Sequence, residues 1–326
     1  MNVLVLGGSG FVGSALVPAL REAGFAVTLA NRGTRRVPHT RQIVLDRDDE
    51  RSVAALGAPD APAFDLVVDT SAYTGPQAAR ARTALAGRVG RWIHLGSAAV
   101  YADGLDRAPR EDDPIGGAAV WGAYGLEKSD ADRIHLAAED GVPTAILRPP
   151  YLYGPGNDND RETFVFARAL TGRPIVVPGA GAAPLQFLHV ADLAAIVVAL
   201  ARVGWSGVEI YNVAEAQTVG ARDWVELLCE IAGARPPILL GGEIDPRQPP
   251  RSYFPFRDAP CIVDAARFAA SDLATRPRPH ARGFAETFAS YRLEDLRVAS
   301  PTTPGEATLL AKAGLGQGGN GQEGAS

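Results

Sequence analysis

Cysteine is scarce in this chain. Cys229 and Cys261 are the two in 326 residues, far apart and in no CxxC motif. That argues against a disulfide framework and against a thiolate zinc site. The five histidines, His39, His94, His135, His189 and His280, fall without ligand spacing, so the sequence predicts no metal site. Long hydrophobic runs are missing too. The longest, VADLAAIVVALARV, is interrupted by Asp192 and is too short to cross a bilayer, so no membrane role is expected. The opening MNVLVLGG has no basic segment and does not read as a signal peptide. Positive charge is also short: the net charge is −5, and no basic run occurs beyond NRGTRR. General nucleic-acid binding is therefore not expected. What remains is 46% apolar and 21% charged, the balance of a globular protein with a real core, expected in the cytoplasm.

The apolar residues are arranged regularly up to residue 150. The segments NVLVL, AVTLAN, QIVLD, FDLVVDT, RWIHLGS and PTAILR read as buried strands. Helical patterns separate most of them, the first from about Phe11 to Ala23 and closed by Gly24. This alternation predicts an α/β fold with a doubly wound parallel (Rossmann) sheet. After Pro149 the pattern breaks in RPPYLYGPGNDNDR. Residues 1–150 are expected to form the dinucleotide-binding domain, with 188–214 returning to it through HVADLAAIVVALA and VEIYNV. Residues 151–187 and 215–299 are expected to form a smaller substrate-binding part. The tail 300–326, rich in Gly, Ser and Thr, is expected to be disordered, with at most a transient helical turn in EATLLAKAG.

The junction of the first strand and helix, VLVLGGSGFVGSALVPAL, carries Gly7, Gly10 and Gly13. Such a triplet allows a tight turn, close approach of backbone to a pyrophosphate, and close packing of helix on sheet. Open N–H groups, with Phe11 and Val12 in the first turn, then meet the phosphates. The spacing is GxxGxxG rather than GxGxxG. The second strand ends in Asn31 and Arg32, where an acid would hold the ribose 2′-hydroxyl of NAD(H). Arg32 instead suits a 2′-phosphate and tilts the choice towards NADP(H). Asp46 and Arg47 follow the third strand, where an adenine edge would be read or where a solvated loop pair would stand.

Tyr124 and Lys128, in AYGLEKSD, share a helix face at i and i+4. An ammonium near a phenol favours phenolate, lowering its pKa from about 10 towards neutrality, which suits proton exchange with a carbinol or carbonyl oxygen. Ser97 lies just beyond the fifth strand, at the end of the sheet where open α/β folds bind ligands.

Together, GGSGFVG, GSAAVY, YGLEK, LRPPYLYGPG and HVADLA resemble an extended short-chain dehydrogenase/reductase of the NAD(P)-dependent epimerase/dehydratase family. The resemblance runs in order from residue 7 to residue 193, and more weakly to about residue 292. It implies catalytic roles for Ser97, Tyr124 and Lys128, a cofactor lining of Thr70, Ser71 and Ala72, and a homodimer. It also implies hydride transfer on a nucleotide-linked or phosphorylated sugar or a nucleoside, by epimerisation or by oxidation, elimination and reduction. An NADPH-dependent carbonyl reductase is the alternative, and an RNA- or partner-binding protein with little catalysis is another. NRG, QFLHVADL and SYFPFRD are similar to the branch related to chloroplast stem-loop-binding proteins.

Three features depart from the sugar-nucleotide pattern. Ala98 and Ala99 stand where 4,6-dehydratases carry Asp and Glu, and neither alanine can exchange a proton. Tyr151 replaces an asparagine that touches substrate, and Leu185–Gln186 replace an Arg–Asp pair. Arg148, Arg173, Arg251 or Arg257 are left as candidates to meet a diphosphate. Tyr73, Ala98, Ala99, Tyr151, Gln186 and Arg257 are the candidate substrate contacts; Tyr73 and Tyr101 either reach the substrate from the loops after strands four and five or simply pack. Glu111 reads as a solvated loop acid, and His189 as a structural histidine bonded to backbone.

Overall fold

The computed structural model describes residues 1–273 and 275–315. The elements run β1 (Asn2–Leu6), α1 (Phe11–Glu22), β2 (Ala26–Asn31), β3 (Arg41–Val44), α2 (Glu50–Ala54), β4 (Leu66–Asp69), α3 (Gly75–Ala84), β5 (Trp92–Leu95), α4 (Ala123–Leu136), β6 (Thr144–Arg148) and β7 (Tyr151–Tyr153). They continue with α5 (Glu162–Thr171), β8 (Ile175–Val177), β9 (Pro184–Leu185), β10 (Phe187–His189), α6 (Val190–Val203), β11 (Val208–Asn212) and α7 (Ala221–Ile231). Two compact units result.

The first unit comprises Met1–Gly156, Gln186–Gln217 and Cys261–His280. Its seven-stranded sheet has the order β11-β6-β5-β4-β1-β2-β3, with every pairing parallel. This is the doubly wound sheet read from the sequence. The two-residue period of β1 explains the two layers around it. Val3 and Val5 pack with Leu16, Val17 and Leu20 of α1 and with Leu193 and Val197 of α6. Leu4 and Leu6 face Val53 of α2, Ala81 of α3 and Trp92. Those four β1 side chains are fully buried. At roughly 1.5–3 kcal/mol each, their burial is of the same size as the cost of ordering them, about 1–2 kcal/mol per residue for the backbone with about 0.5–1 kcal/mol more for a Leu side chain. Cys261–His280 belongs to this unit rather than to the smaller part, because Phe268 and Leu273 sit in the core beside α6 and Asp264 N donates to Pro109 O.

The second unit comprises Asn157–Leu185, Thr218–Pro260 and the chain from Ala281. Trp224 of the strongly amphipathic α7 is its centre, with Phe254, Phe256 and Phe284 packed edge-on around it. The proline-rich SYFPF turn is thus a source of core aromatics. β8 pairs in parallel with Ile238–Leu240, and β9 runs antiparallel to Val219–Gly220.

The expected disorder of the tail is corrected for residues 300–315. A helix spans Pro304–Lys312, started by a capping box between Thr303 and Glu306. Glu306 is 1% exposed and takes the Arg168 guanidinium of α5 with both oxygens, at 2.7 and 2.5 Å. The composition of the tail concealed this single buried ion pair. Residues 316–326 of that expected tail lie outside the described residues. Among the described residues no helix is long and apolar enough to cross a membrane.

Glu306→Ala leaves the fully buried Arg168 without its carboxylate. The expected loss in urea denaturation is about 3–5 kcal/mol, and an unchanged midpoint would count against a structural role for this helix.

Candidate active site

The strand ends of the first unit gather most of the residues singled out above. β1 ends at Leu6, and α1 starts at Phe11 with Gly10 as a cap that makes no side-chain hydrogen bond. Phe11 and Val12 are half-buried in that first turn. A Cβ on Gly13 would fall 2.1 Å from the Gly8 carbonyl, so α1 lies against the turn only because residue 13 has no side chain. A Cβ on Gly10 would meet nothing within 4 Å. The packing therefore requires Gly13 and not Gly10. The bare Gly10 backbone and the uncapped helix start fit a pyrophosphate. Gly7 completes the turn beside Thr70 and Ser71. Thr70 Oγ1 donates to Leu6 O, and Ala72 is buried behind them.

At the end of β2, Asn31 is buried and its Oδ1 accepts Gly33 N at 2.9 Å, while Arg32 is exposed. The loop after β3 corrects one expectation. Asp46 is exposed, with its Oδ1 on Asp48 N. Arg47 turns inward instead of facing an adenine or solvent. It clasps Asp69 with both terminal nitrogens and also donates to Ser71 Oγ (2.9 Å) and Gln77 O (3.1 Å). Burial pushes the Asp69 carboxyl up, but the Arg47 charge and hydrogen bonds hold it below the ordinary range.

Ser97 caps a short turn, Ala98–Val100, and its Oγ accepts Ala99 N at 3.2 Å. Ala98 and Ala99 are buried. On α4, Tyr124 is 45% exposed, and Lys128, one turn on, is 4% exposed. The Lys128 ammonium donates to Ala72 O (2.8 Å) and Leu95 O (2.7 Å), the chain just past β4 and the last residue of β5. It stands 5.8 Å from the ring centre of Tyr73, which is exposed. Burial pushes the ammonium down to about 8, against the pull of the Asp132 and Asp69 carboxylates. Two of its three N–H groups are thus used on backbone.

Beneath Lys128 lies a buried polar network that sequence reasoning missed. Asp132 accepts from His94 Nε2 (3.1 Å) and Arg148 Nε (2.8 Å). Arg148 also donates to Tyr101 Oη (3.1 Å) and Glu111 O (3.2 Å), and Tyr101 donates to Asn212 Oδ1 (2.6 Å). His94 stacks on His135 at 4.3 Å, and Arg82 donates to His135 Nδ1 (3.1 Å) and pairs with Asp140. Burial, with neighbouring cations, keeps both imidazoles below their ordinary range. Asp69, His94 and His135 bring three ligand-type atoms within 4.8 Å of one another. Arg47 takes both Asp69 oxygens and Arg82 takes His135 Nδ1, so a metal ion would have to displace these cations. One signal was present in the sequence. Asp69 and His94 are polar residues in otherwise apolar strands, and the sheet pairs them directly.

This network corrects several readings. Tyr101 and Arg148 are committed to the core and do not line a substrate pocket; burial raises the Tyr101 phenol to about 12. Glu111 is not a solvated acid, since its Oε1 accepts Asn212 N at 2.8 Å. Gln186 is 3% exposed, donates to Glu215 O (2.7 Å) and accepts Val263 N (2.8 Å), so its amide braces backbone rather than reaching substrate. His189 caps α6 by accepting Ala191 N, as a structural histidine should. Tyr151 is half-buried against Trp121 and Phe187. Arg257 is half-buried in the second unit, where Arg173 and Arg251 donate to backbone carbonyls.

The profile of the NAD dependent epimerase/dehydratase family matches residues 3–86 and 77–214, and the chain belongs to that family. It is 30% identical over 270 residues to a 3-diazoavenalumate denitrifying reductase of a Streptomyces species, covering 76% of this chain and 86% of that protein. It is 29% identical over 277 residues to the chloroplast stem-loop binding protein of 41 kDa b of Arabidopsis thaliana, covering 79% and 70%. Among solved structures it is similar to MoeE5 in complex with UDP-glucose and NAD, with TM-score 0.70, 26% identity, and 89% and 98% of the two chains covered.

The two glycines separate fold from binding. Gly13→Ala is expected to lower the urea midpoint by the equivalent of about 1–3 kcal/mol through overpacking. Gly10→Ala is expected to leave the midpoint in place and to weaken NAD(P)H binding in a fluorescence titration. Equal effects on stability would contradict this reading.

Proposed function

We propose that this member of the NAD-dependent epimerase/dehydratase family moves a hydride between a nicotinamide and a hydroxyl-bearing carbon of a sugar-like substrate. The observation that carries the reading is the Lys128 ammonium, fixed on two carbonyls at the ends of β4 and β5, one helical turn from the exposed Tyr124. When bound, the nicotinamide supplies or accepts the hydride. Gly7, Gly10, Phe11, Val12 and Gly13 would hold the pyrophosphate. Thr70, Ser71 and Ala72 would flank the nicotinamide side, and Asn31 and Arg32 the adenosine end. The third N–H of Lys128 remains to hold a ribose hydroxyl, and its charge favours the anionic state of the neighbouring phenol. Tyr124 Oη takes or returns the proton of the reacting hydroxyl, and Ser97 Oγ orients that oxygen.

Ala98 and Ala99 supply no acid or base, which favours epimerisation over elimination. Tyr73 and Tyr151 are the substrate-side contacts of this reading. The UDP-glucose held by the similar solved structure supports a nucleotide-linked sugar. The commitment of Arg148 to Asp132 removes one arginine for the diphosphate and leaves a phosphorylated sugar or a nucleoside equally suitable. Exposed Leu126 and Leu136 on α4 support pairing of two copies.

A second reading, net reduction of a carbonyl by NADPH, draws on exposed Arg32 at the end of β2, placed for a 2′-phosphate. Both readings use the same three side chains. Nucleotide released on denaturation separates them: retained NAD(H) or NADP(H) is expected for the redox-neutral cycle. Its absence, with NADPH consumed on carbonyl substrates, favours reduction. In either case Tyr124→Phe is expected to lower turnover by about 10²–10⁴-fold. Turnover equal to wild type would overturn the assignment.

A further inference from the structure

The exposed end of α4 carries the chemistry proposed above, but its buried face holds the charges that nothing so far assigns. Asp132 follows Lys128 by four residues, so the two side chains project from one face of the helix. Asp132 Oδ1 takes His94 Nε2 at 3.1 Å, and Oδ2 takes Arg148 Nε at 2.8 Å. His94 lies on β5 and Arg148 ends β6. The next residue after His94 is Leu95, whose carbonyl receives the Lys128 ammonium at 2.7 Å. The residue after that is Gly96. A Cβ there would stand 2.9 Å from Asp132 Oδ1 and 3.1 Å from Leu147 O, so the strand end accepts the helix this closely only without a side chain. Ser97 comes next. Three successive residues of one strand end thus meet Lys128 or Asp132, and the fourth is the proposed catalytic serine.

We propose that Asp132 is the positioning residue of the site: held by His94 and Arg148, it fixes the α4 face that carries Lys128 against the strand end that carries Ser97. The proposal rests on the catalytic reading of Lys128 and Ser97 given above. Asp132 touches no reacting atom and acts through Lys128. The charged and titratable groups facing the pair are Tyr73 from the chain past β4, His94 from β5, Arg148 from β6, Asp69 from the end of β4, Arg47 from the loop after β3, and His135 on α4 itself. Asp69 is the one anion among these, and Asp132 is the anion of the pair itself. Arg47 already clasps Asp69, which leaves Asp132 as the carboxylate on the same helix face as the ammonium.

Lys128 and Lys312 are the only lysines in the chain, so protein made with labelled lysine gives two side-chain signals. Lys312, half-exposed and paired with Asp245, serves as the internal reference. The Cε and Nζ shifts are followed against pH in wild type, Asp132→Asn and Asp130→Asn, with no substrate or cofactor present. Wild-type Lys128 is expected to titrate near about 8. Asp132→Asn is expected to lower that midpoint by about one pH unit or more, since an opposite charge is removed. Asp130→Asn, which removes an exposed carboxylate two residues away on the same helix, is expected to leave it unchanged. If Asp132→Asn does not fold, His94→Leu removes the donor while keeping every carboxylate. The Lys128 midpoint must then still shift, and His94→Gln must restore it. An unmoved midpoint in Asp132→Asn or His94→Leu, or an equal shift in Asp130→Asn, would overturn the proposal. These readouts need no turnover, so failure of the hydride-transfer reading would appear separately, in the Tyr124→Phe comparison.

Discussion

The site depends on one constraint: an ammonium is buried at the end of a parallel sheet and must be satisfied there. Lys128 is 4% exposed and meets the carbonyls of Ala72 and Leu95. An unpaired charge in that position would be prohibitively costly. The two carbonyls, with Asp132 and Asp69 nearby, make it tolerable. They also set the geometry. Because one carbonyl ends β5 and the other lies just past its neighbour β4, the helix bearing Lys128 and Tyr124 cannot slide along the sheet without breaking both contacts.

The same constraint explains the network below. Asp132 carries the balancing charge for Arg148 and the hydrogen bond of His94, while Arg148 holds Tyr101 and the Glu111 carbonyl in turn. Removing one partner from such a chain of buried groups is costly, because it leaves the other charge uncompensated. It ties α4 to β5 and β6, and through Asn212 to β11. The Tyr124–Lys128 side of the helix and the polar core are therefore two faces of one arrangement. The glycine turn at β1 is simpler: the close approach at Gly13 fixes α1, and a Cβ at Gly10 would meet nothing within 4 Å.

Local features were legible in the sequence because local rules govern them. The apolar strands, the Gly7–Gly13 turn and the Tyr124–Lys128 spacing each depend on residues a few positions apart. The buried network was not legible, because His94, Asp132 and Arg148 come from three elements and acquire partners only when the sheet assembles. Arg47 and Arg148 looked like ligand-binding arginines for the same reason: nothing local announces that Asp69 and Asp132 claim them. Gln186 was read from its neighbours in a motif, yet its amide is spent on Glu215 and Val263. In the tail, composition pointed to disorder, and the Glu306–Arg168 pair with its capping box outweighed that composition in residues 300–315.

The central claim is that the strand-end ammonium and the glycine turn serve one cofactor. A crystal structure of the chain soaked with NADP⁺ tests it most directly. The account predicts the pyrophosphate on the backbone at Gly10–Val12 and a nicotinamide-ribose hydroxyl on the third N–H of Lys128, with the contacts to Ala72 and Leu95 kept. A nucleotide bound elsewhere, or one on the glycine turn whose ribose does not reach Lys128, would contradict it.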